Sequence, residues 1–307
     1  MWLKLPVFWI IEVNKMAITA ALVKELRERT AAGMMECKKA LVETDGDIEA
    51  AVEHMRKTGL AKADKKAGRI ATEGKVVVEF SDDAKKGVML EVNCETDFVA
   101  MGDEFGGFAS AVAKRILSNA PADVETLLEL PLEDGGESIN IVLKTMIAKI
   151  GENMSVRRFV TFSTDGQLGA YLHGTKIGVV VDMQGGDAAL IKDVAMHVAA
   201  SNPKGLDESS LDAVELAKEK EIAAAEAANS GKPEKIIEKI VEGKIKRFIK
   251  DNTLMGQPFV KDPDVTVEKL VSNAGATVLG FTRIEVGEGM EKKSEDFAAE
   301  VMAQIGG

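Results

Sequence analysis

The sequence predicts an α+β protein with an N-terminal three-helix bundle, a duplicated core of antiparallel sheets with packed helices, a projecting antiparallel helical hairpin and a C-terminal helix. Three observations indicate this. Apolar residues recur at helical spacing over residues 16–58, a strand-turn-strand-loop-helix pattern occurs twice in the middle of the chain, and two long helical stretches meet at Gly231-Lys232-Pro233. With 307 residues, of which 46% are hydrophobic, the chain can bury a core in about two domains.

Residues 1–15 do not fit this pattern. They carry both tryptophans in an apolar run interrupted by Pro6 and Glu12, and the run is shorter than the ~20 residues of a membrane span. An export signal is not favoured, because exported proteins usually tolerate disulfides and this chain has only two isolated cysteines. A regular helical pattern begins after Met16, so we expect residues 1–15 to be an extension from an upstream start or a cloning artefact.

The pattern of apolar residues over 16–58 predicts three short helices that form a bundle. Thr19 is a suitable N-cap for the first helix, and apolar side chains share one face in each segment. Gly59 predicts the C-terminal end of the third helix, so the bundle is expected to end near residue 58. A basic tether, residues 59–74, follows.

The core is expected in two halves. Residues 75–155 form the first half, in which two strand-like runs flank a polar turn and are followed by a loop and a helical run. The same order recurs in the second half, residues 156–206 and 264–288. Residues 207–263 between these segments predict the helical hairpin arm and its return segment, and residues 289–307 predict the C-terminal helix module.

The two halves differ in one loop. Aligning residues 87–92 with 178–183 leaves twelve residues (93–104) before Phe105 but only seven (184–190) before Ile191. The five additional residues fall in the loop that carries Phe98. A loop can be lengthened without disturbing its scaffold, so the extension favours a loop made for contact with another molecule.

Phe98 stands directly beside Asp97 on this loop. From the residue type alone, packing in the core is favoured by about two to one. The other interpretation is an apolar anchor flanked by charge and kept for the pocket of a partner. The loop extension favours the second interpretation.

Composition and motifs narrow the possible functions. A net charge of -11 disfavours a broad nucleic acid footprint, and Cys37 and Cys94 lack metal-ligand spacing, which fits a reducing cytoplasm. The sequence contains no phosphate-binding P-loop, no H-E-x-x-H pair and no G-x-S-x-G elbow. We therefore predict a cytoplasmic protein that is not an enzyme, has no cofactor and no metal site, and acts on a protein partner.

Several long motifs, in order, resemble the bacterial elongation factor Ts family. They are LVKELRERT (22–30), GMMECKKAL (33–41), EVNCETDFVA (91–100), MHVAAS (196–201) and GQPFV (256–260). The likeness runs from Met16 to the C-terminal helix. The chain departs from the family at residues 1–15 and at Glu95, where some relatives carry Gln.

The resemblance implies a guanine-nucleotide exchange factor for elongation factor Tu, the GTPase that delivers aminoacyl-tRNA to the ribosome. The GTPase would be bound in its GDP-bound and nucleotide-free forms, without direct contact to nucleic acid or membrane. Because both halves of the core lie in one chain, we expect a one-to-one complex. By likeness, Thr96, Asp97, Phe98 and Val99, here called the TDFV loop, enter the GTPase domain near its magnesium site. Phe98 would wedge between side chains there, so that Mg²⁺ and then GDP leave.

The resemblance also implies docking contacts outside the TDFV loop. The matching positions are Met34, Met35, Cys37, Lys38, Lys66 and His173. Alternatives from the residues themselves remain open: one methionine packs inside the bundle, Lys66 solvates the tether, and His173 ends a strand. The final helix, with Phe297 and Val301, packs either on the GTPase or on this chain's own core.

Two other classes of function remain alternatives. An RNA-binding or ribosome-associated protein could use a basic cluster, although a solvated helix face is the more ordinary interpretation; the cluster comprises Arg56, Lys57, Lys62, Lys65, Lys66 and Arg69. A small-molecule enzyme would need a convergent set of acids or nucleophiles, which the sequence does not show.

Overall fold

The computed structural model describes residues 18–30, 32–228 and 233–290. Its described helices are α1 (Ala20–Thr30), α2 (Met34–Glu43), α3 (Ile48–Lys66), α4 (Asp97–Ala100), α5 (Asp103–Asn119), α6 (Val124–Glu129), α7 (Ile139–Ile150), α8 (Ala188–Ser201), α9 (Ala213–Ala228), α10 (Glu234–Asn252) and α11 (Val267–Asn273). The described strands are β1 (Glu73–Phe80), β2 (Lys86–Cys94), β3 (Met154–Ser163), β4 (Gln167–His173), β5 (Ile177–Gln184), β6 (Pro258–Phe259), β7 (Asp262–Thr266) and β8 (Thr277–Glu285). The mixture of helices and small antiparallel sheets confirms the predicted α+β class.

The chain divides into two compact units. The N-terminal unit contains the described residues up to 69 together with 140–153, and the core unit contains 70–139 and the described residues from 154 onwards. The predicted extension 1–15 and all but the first two residues of the predicted module 289–307, including Phe297 and Val301, lie outside the described residues.

The N-terminal unit contains the predicted bundle of α1, α2 and α3. The hydroxyl of Thr19 accepts a hydrogen bond from the N–H of Leu22 at 3.2 Å, so Thr19 does cap the first helix. Leu26 and Leu41 are fully buried in the bundle core. The apolar stripes predicted from the sequence therefore meet as expected.

The predicted end of the bundle near residue 58 is wrong. Helix α3 continues through Gly59 to Lys66, so residues 59–66 of the predicted tether are helical. A Cβ atom at Gly59 would lie 3.3 Å from the Cβ of Ala148 in α7. Gly59 is therefore a packing glycine that lets two helices approach closely, rather than a helix stop.

The sequence predicted that α7 belongs to the first half of the core. This is also wrong, because residues 140–153 belong to the N-terminal unit. The Nζ of Lys144 on α7 lies 2.8 Å from a carboxylate oxygen of Asp64 on α3. Just beyond α7, the side-chain amide of Asn153 donates to the carbonyl of Arg69 at 2.6 Å. These contacts make α7 a fourth helix of the N-terminal unit.

The core unit contains two three-stranded antiparallel sheets, with strand orders β1-β2-β3 and β4-β5-β8. In each sheet a hairpin is followed by a helix that packs on it, α5 or α8, and a later strand returns to pair with the second hairpin strand. The predicted duplication is confirmed. Residues 156–163 were assigned to the second half, but β3 pairs with β2 in the first sheet. An alternating strand pattern does not reveal which neighbour the strand selects.

The strand pairing is irregular at equivalent positions of the two repeats. The register shifts between Glu91 and Val92 in the first sheet and between Asp182 and Met183 in the second. These pairs coincide when residues 87–92 are aligned with 178–183. The structure therefore supports the register of the repeat that the sequence suggests.

The two sheets pack against each other within the core unit. A buried cluster between them contains Val76, Met89, Leu168 and Val180. A Cβ atom at Gly178 would lie 2.4 Å from Cγ1 of Val76, so only glycine fits this close approach. The core unit consequently has the layer order helix, sheet, sheet, helix, with α5 and α8 on the outside.

The predicted arm is confirmed as a helical hairpin. Helices α9 and α10 pack together through the buried small side chains of Ala223 and Ala227, and an ion pair joins Lys244 to Glu226. In the part of the chain that the structure describes, no helix combines the length and the hydrophobicity that crossing a bilayer requires.

Candidate partner-binding site

The TDFV loop lies in the connection between β2 and α5. This connection has eight residues, 95–102, whereas the equivalent connection between β5 and α8 has three, 185–187. The difference of five residues confirms the predicted insertion. The short helix α4, residues Asp97–Ala100, is formed within it.

Backbone and side-chain hydrogen bonds fix the shape of the loop. The hydroxyl of Thr96 accepts from the N–H of Val99 at 3.4 Å, and the thiol of Cys94 donates to the carbonyl of Thr96 at 3.1 Å. Ala100 is 2% exposed and anchors the turn on the core unit. The loop therefore has a defined conformation that its own hydrogen bonds hold in place.

Phe98 points into solvent with 80% of its surface exposed. By contrast, Phe105 and Phe108 on the following helix are 1% and 5% exposed. The interpretation that Phe98 packs in the core of this chain is therefore wrong. An exposed ring on an ordered turn loses little conformational freedom when a partner buries it.

Sequence reasoning missed Met101, which is 63% exposed at the end of α4. The sequence signal that could have identified Met101 is its spacing from Phe98. Met101 follows Phe98 by three residues, and side chains three apart in a helical turn are neighbours on one face.

Asp97 is exposed and lies within electrostatic reach of the second repeat. Lys176, at the turn before β5, forms an ion pair with Glu73 at 2.9 Å. The hydrogen bond to Glu73 raises the pKa of Lys176, and the nearby carboxylates of Asp97 and Glu285 add to this effect. The base of the TDFV loop therefore combines a cation from one repeat with acids from the other.

A buried charge network lies at the end of β2, close to the loop. The fully buried carboxylate of Glu91 accepts from Arg157 at 2.8 Å, from Arg158 at 2.6 Å and from the N–H of Gly287 at 2.8 Å. Burial alone would raise the pKa of Glu91, but these three donors more than offset it, so the pKa lies below its ordinary value. The network ties β2 to β3 and to the turn after β8.

The predicted docking residues on α2 separate into two groups. Met34 and Met35 are 56% and 76% exposed, and Lys38 is exposed as well, so neither methionine packs inside the bundle. Met35 and Lys38 line a shallow groove together with Glu36, Lys39, Val42 and Lys62. We call Met34, Met35 and Lys38 the docking face.

Cys37, which was predicted to contact a partner, does not reach the surface of the folded bundle. Its side chain is fully buried in the bundle core, with Sγ 3.7 Å from the hydroxyl of Thr30. A residue one position before Lys38 on a helix points about 100° away from it, which here means inward. Cys37 therefore supports the docking face from inside.

Lys66 and His173 also have local contacts. Lys66 ends α3 and donates to the carbonyl of Gly151, so it joins two segments of the N-terminal unit instead of solvating a tether. His173 ends β4, as one interpretation proposed, and is exposed beside Tyr171, with their ring centroids 6.2 Å apart. Its exposure leaves it accessible to a partner.

The motifs MHVAAS and GQPFV meet inside the core unit. The Nδ1 of fully buried His197 accepts from the N–H of Val260 at 3.1 Å, and its Nε2 lies 2.9 Å from Oε1 of Gln257. Because Nδ1 accepts, Nε2 carries the proton and donates to Gln257. His197 is a structural residue that connects α8 to the segment around β6.

Acidification should destabilise the core unit through His197. Burial lowers its pKa, partly offset by the hydrogen bond to Gln257, so its full stabilising effect is present above the unfolded pKa of about 6.5 and is lost as the pH falls. We expect up to about 1.4 kcal/mol per pH unit of extra loss below pH 6.5. Urea unfolding at pH 7.5, 6.5 and 5.5 measures it.

The control for this prediction is His197→Gln, which removes the titrating ring. Its stability should depend less on pH over the same interval, although its stability at pH 7.5 is lower than that of the unaltered protein. Identical slopes for the two proteins would contradict the assignment.

The described residues contain no group of three or more His, Cys, Asp or Glu side chains arranged to hold a metal ion. Two members of the basic cluster form ion pairs within the N-terminal unit: Lys57 pairs with Glu53 at 2.6 Å, and Lys62 pairs with Glu36 at 2.7 Å. The most distinctive feature of the described surface is thus the rigid loop that presents Phe98.

Comparison with known proteins gives the class first: the relatives of this chain are elongation factors from bacteria. Elongation factor Ts from Thioalkalivibrio sulfidiphilus is 59% identical over 95% of this chain and 100% of its own length. The proteins of the same name from Alkalilimnicola ehrlichii and Methylococcus capsulatus are 57% and 58% identical, over 95% and 94% of this chain and 100% and 99% of theirs.

A family model described as "Elongation factor TS" matches residues 95–288. The chain therefore belongs to the elongation factor Ts family. The match begins one residue before the TDFV loop and ends one residue after Gly287, whose N–H donates to Glu91. It covers the second repeat, the arm and the part of the first repeat that follows β2.

Proposed function

We propose that this protein is a guanine-nucleotide exchange factor for elongation factor Tu, acting in the cytoplasm during translation elongation and carrying out no covalent chemistry. Family membership supports the identity of the partner. The observation that supports the mechanism is the 80% exposure of Phe98 on an ordered turn. An exposed ring of this kind is the usual anchor of a protein interface.

In the proposed mechanism, Phe98 and Asp97 enter the GTPase domain near its magnesium site. The bound Mg²⁺ is among the largest local charges in such a site, so loss of its coordination geometry weakens diphosphate binding sharply. Burying a Phe side chain of about 150–250 Å² at ~25 cal/mol/Å² supplies roughly 4–6 kcal/mol before costs. This is enough to oppose part of the affinity for the nucleotide.

Exchange requires the coupling to be reciprocal. If binding of this protein weakens GDP binding, then nucleotide binding must weaken binding of this protein by the same factor. The partner is therefore bound in its GDP-bound and nucleotide-free forms and is released when a nucleotide rebinds. This reciprocity makes the protein a catalyst of exchange instead of an inhibitor of the GTPase.

The docking face and His173 supply further contacts in this proposal. Met34 and Met35 are flexible and polarizable, which suits an adaptable interface, and Lys38 adds a charge beside them. Cys37 and Lys66 contribute by holding the N-terminal unit together. We expect a one-to-one complex, because both repeats lie in one chain.

The proposal is tested by the release of labelled GDP from elongation factor Tu with and without this protein. Acceleration that saturates with GTPase concentration, at catalytic amounts of this protein, supports the proposal. An unchanged release rate would refute it. Size measurement of the nucleotide-free mixture would test the one-to-one stoichiometry.

RNA binding is the alternative function. The ion pairs of Lys57 and Lys62 favour the interpretation of the basic cluster as a solvated helix face, since paired lysines release fewer counterions from phosphates. RNA affinity that falls steeply with salt would favour the alternative. Turnover of a nucleotide without the GTPase would instead indicate an enzyme.

A further inference from the structure

Met101 is the second large apolar side chain that the β2–α5 connection exposes. It caps the C-terminal end of α4 with φ -85° and ψ -10°, so its backbone is close to helical. Its N–H donates to the carbonyl of Asp97 at 3.0 Å, and the N–H of Gly102 donates to the carbonyl of Val99 at 3.0 Å. Met101 is therefore held by the same ordered turn as Phe98.

The spacing places Met101 beside Phe98. Residues three apart in a helical turn have Cβ atoms about 5–6 Å apart. The intervening positions face the other way, since Val99 is half-buried and Ala100 is buried. The turn thus presents two adjacent apolar side chains, 80% and 63% exposed, on one side.

The rest of the structure shows that this pairing is specific to the first repeat. The equivalent connection of the second repeat, residues 185–187, is too short to form such a turn. Single exposed apolar residues are normal on a protein surface, but two neighbours on an inserted, ordered turn form a contiguous patch. The insertion therefore extends two apolar groups beyond the scaffold, not one.

We propose that Met101 is a partner-contacting residue that widens the apolar anchor of the TDFV loop and enters an apolar recess of the GTPase next to the one that receives Phe98. This inference rests on the proposed function. Phe98 supplies the rigid ring of the contact, whereas the unbranched, polarizable Met101 side chain adapts to the neighbouring surface. Because Met101 is less exposed than Phe98 and follows the last residue of α4, it contributes to complex formation more than to displacement of the nucleotide.

The test measures GDP release from elongation factor Tu over a range of GTPase concentrations for the Met101→Ala, Met101→Lys and Met101→Leu variants. We expect Met101→Ala to lower kcat/KM about fivefold, mainly through a higher KM. Met101→Lys should lower it further, because a charge would have to be desolvated, and Met101→Leu should stay near the unaltered protein. The control is Leu279→Ala, which truncates a 47% exposed side chain of β8 and should leave kcat/KM unchanged.

A double-mutant cycle with Phe98→Ala checks that the two side chains share one interface. Neighbouring contacts couple, so the effects of Phe98→Ala and Met101→Ala should be less than additive in the double variant. The melting temperature of each Met101 variant should remain close to that of the unaltered protein, because the side chain packs on little of its own chain.

The outcomes separate this inference from the proposed function. If the unaltered protein does not accelerate GDP release, the proposed function fails. If it does, and Phe98→Ala slows release while Met101→Ala matches Leu279→Ala, only the role of Met101 is overturned. A fall in melting temperature with Met101→Ala that accounts for the loss of activity would also overturn it, because the residue would then be structural.

Discussion

Replacing Phe98 by alanine should lower kcat/KM for GDP release from elongation factor Tu at least about thirtyfold, which corresponds to loss of a ~2 kcal/mol interface anchor. The physical reason is that the ring is 80% exposed in the free protein and gains its apolar burial only in the complex. Removing it takes away the largest apolar group of the TDFV loop without creating a cavity in this chain.

The same substitution should leave the free protein nearly as stable as before. A surface change away from caps and networks usually alters the free energy of unfolding by no more than about 0.5 kcal/mol. The matched control is Phe105→Ala, because Phe105 is only 1% exposed, on α5 in the same unit. That variant should lose about 3–5 kcal/mol of stability by leaving a cavity.

Stopped-flow release of labelled GDP and urea unfolding together show whether Phe98 serves the partner or the core of this chain. Slow release with unchanged unfolding is the expected result for Phe98→Ala. Normal exchange combined with a large fall in stability would show that the ring packs in this chain's own core. That result would refute the proposed role of Phe98 in the GTPase domain.

The sequence predicted the exposure of Phe98 because two independent signals agreed. The alignment of the repeats located a five-residue insertion, and the loop resembles that of the elongation factor Ts family. Residue type alone favoured a buried ring, so these two signals together reversed the prediction. Met101 was missed because a methionine carries no such signal until the helical turn of α4 is known.

The errors in the predicted fold have a common physical origin. Gly59 was interpreted as a helix stop from local rules, but its role depends on Ala148, which is far away in sequence. The strand pattern of β3 was correct, whereas its sheet was not, because pairing with β2 is a long-range choice. Cys37 was grouped with Lys38 because the two are adjacent in one motif, but adjacent residues of a helix do not share a face, and Cys37 is buried.

The buried network around Glu91 should produce the largest effect on stability. Replacing Glu91 by glutamine should cost about 3–5 kcal/mol, the usual penalty for removing one partner from a buried ion pair. Oε1 of Glu91 accepts from Arg157, Asn93 and the N–H of Gly287, while Oε2 accepts from Arg158. An amide would direct its N–H₂ group at groups that are themselves donors. It would also remove the carboxylate partner of Arg157 and leave Arg158 with only the exposed carboxylate of Glu288.

The pH dependence provides a second check on the same variant. Since the folded pKa of Glu91 is lowered, the carboxylate stabilises the protein above its unfolded pKa of about 4.3, and this contribution is lost as the pH falls through the folded value. The difference in unfolding free energy between the unaltered protein and Glu91→Gln should therefore be largest near pH 7 and shrink towards pH 3. A difference that stays constant over this range would show that shape, and not charge, explains the effect.

Glu288→Gln is the matched control for Glu91→Gln. Glu288 also faces Arg158, at 3.4 Å, but its side chain is 51% exposed, and an exposed ion pair contributes only about 0–1 kcal/mol. If the two variants are equally destabilised, burial is not the reason for the importance of Glu91. If only Glu91→Gln unfolds easily, one buried carboxylate holds β2, β3 and the turn at Gly287 together. The TDFV loop leaves the sheet three residues after that carboxylate, at Cys94, so this variant should also lose exchange activity at temperatures where it begins to unfold.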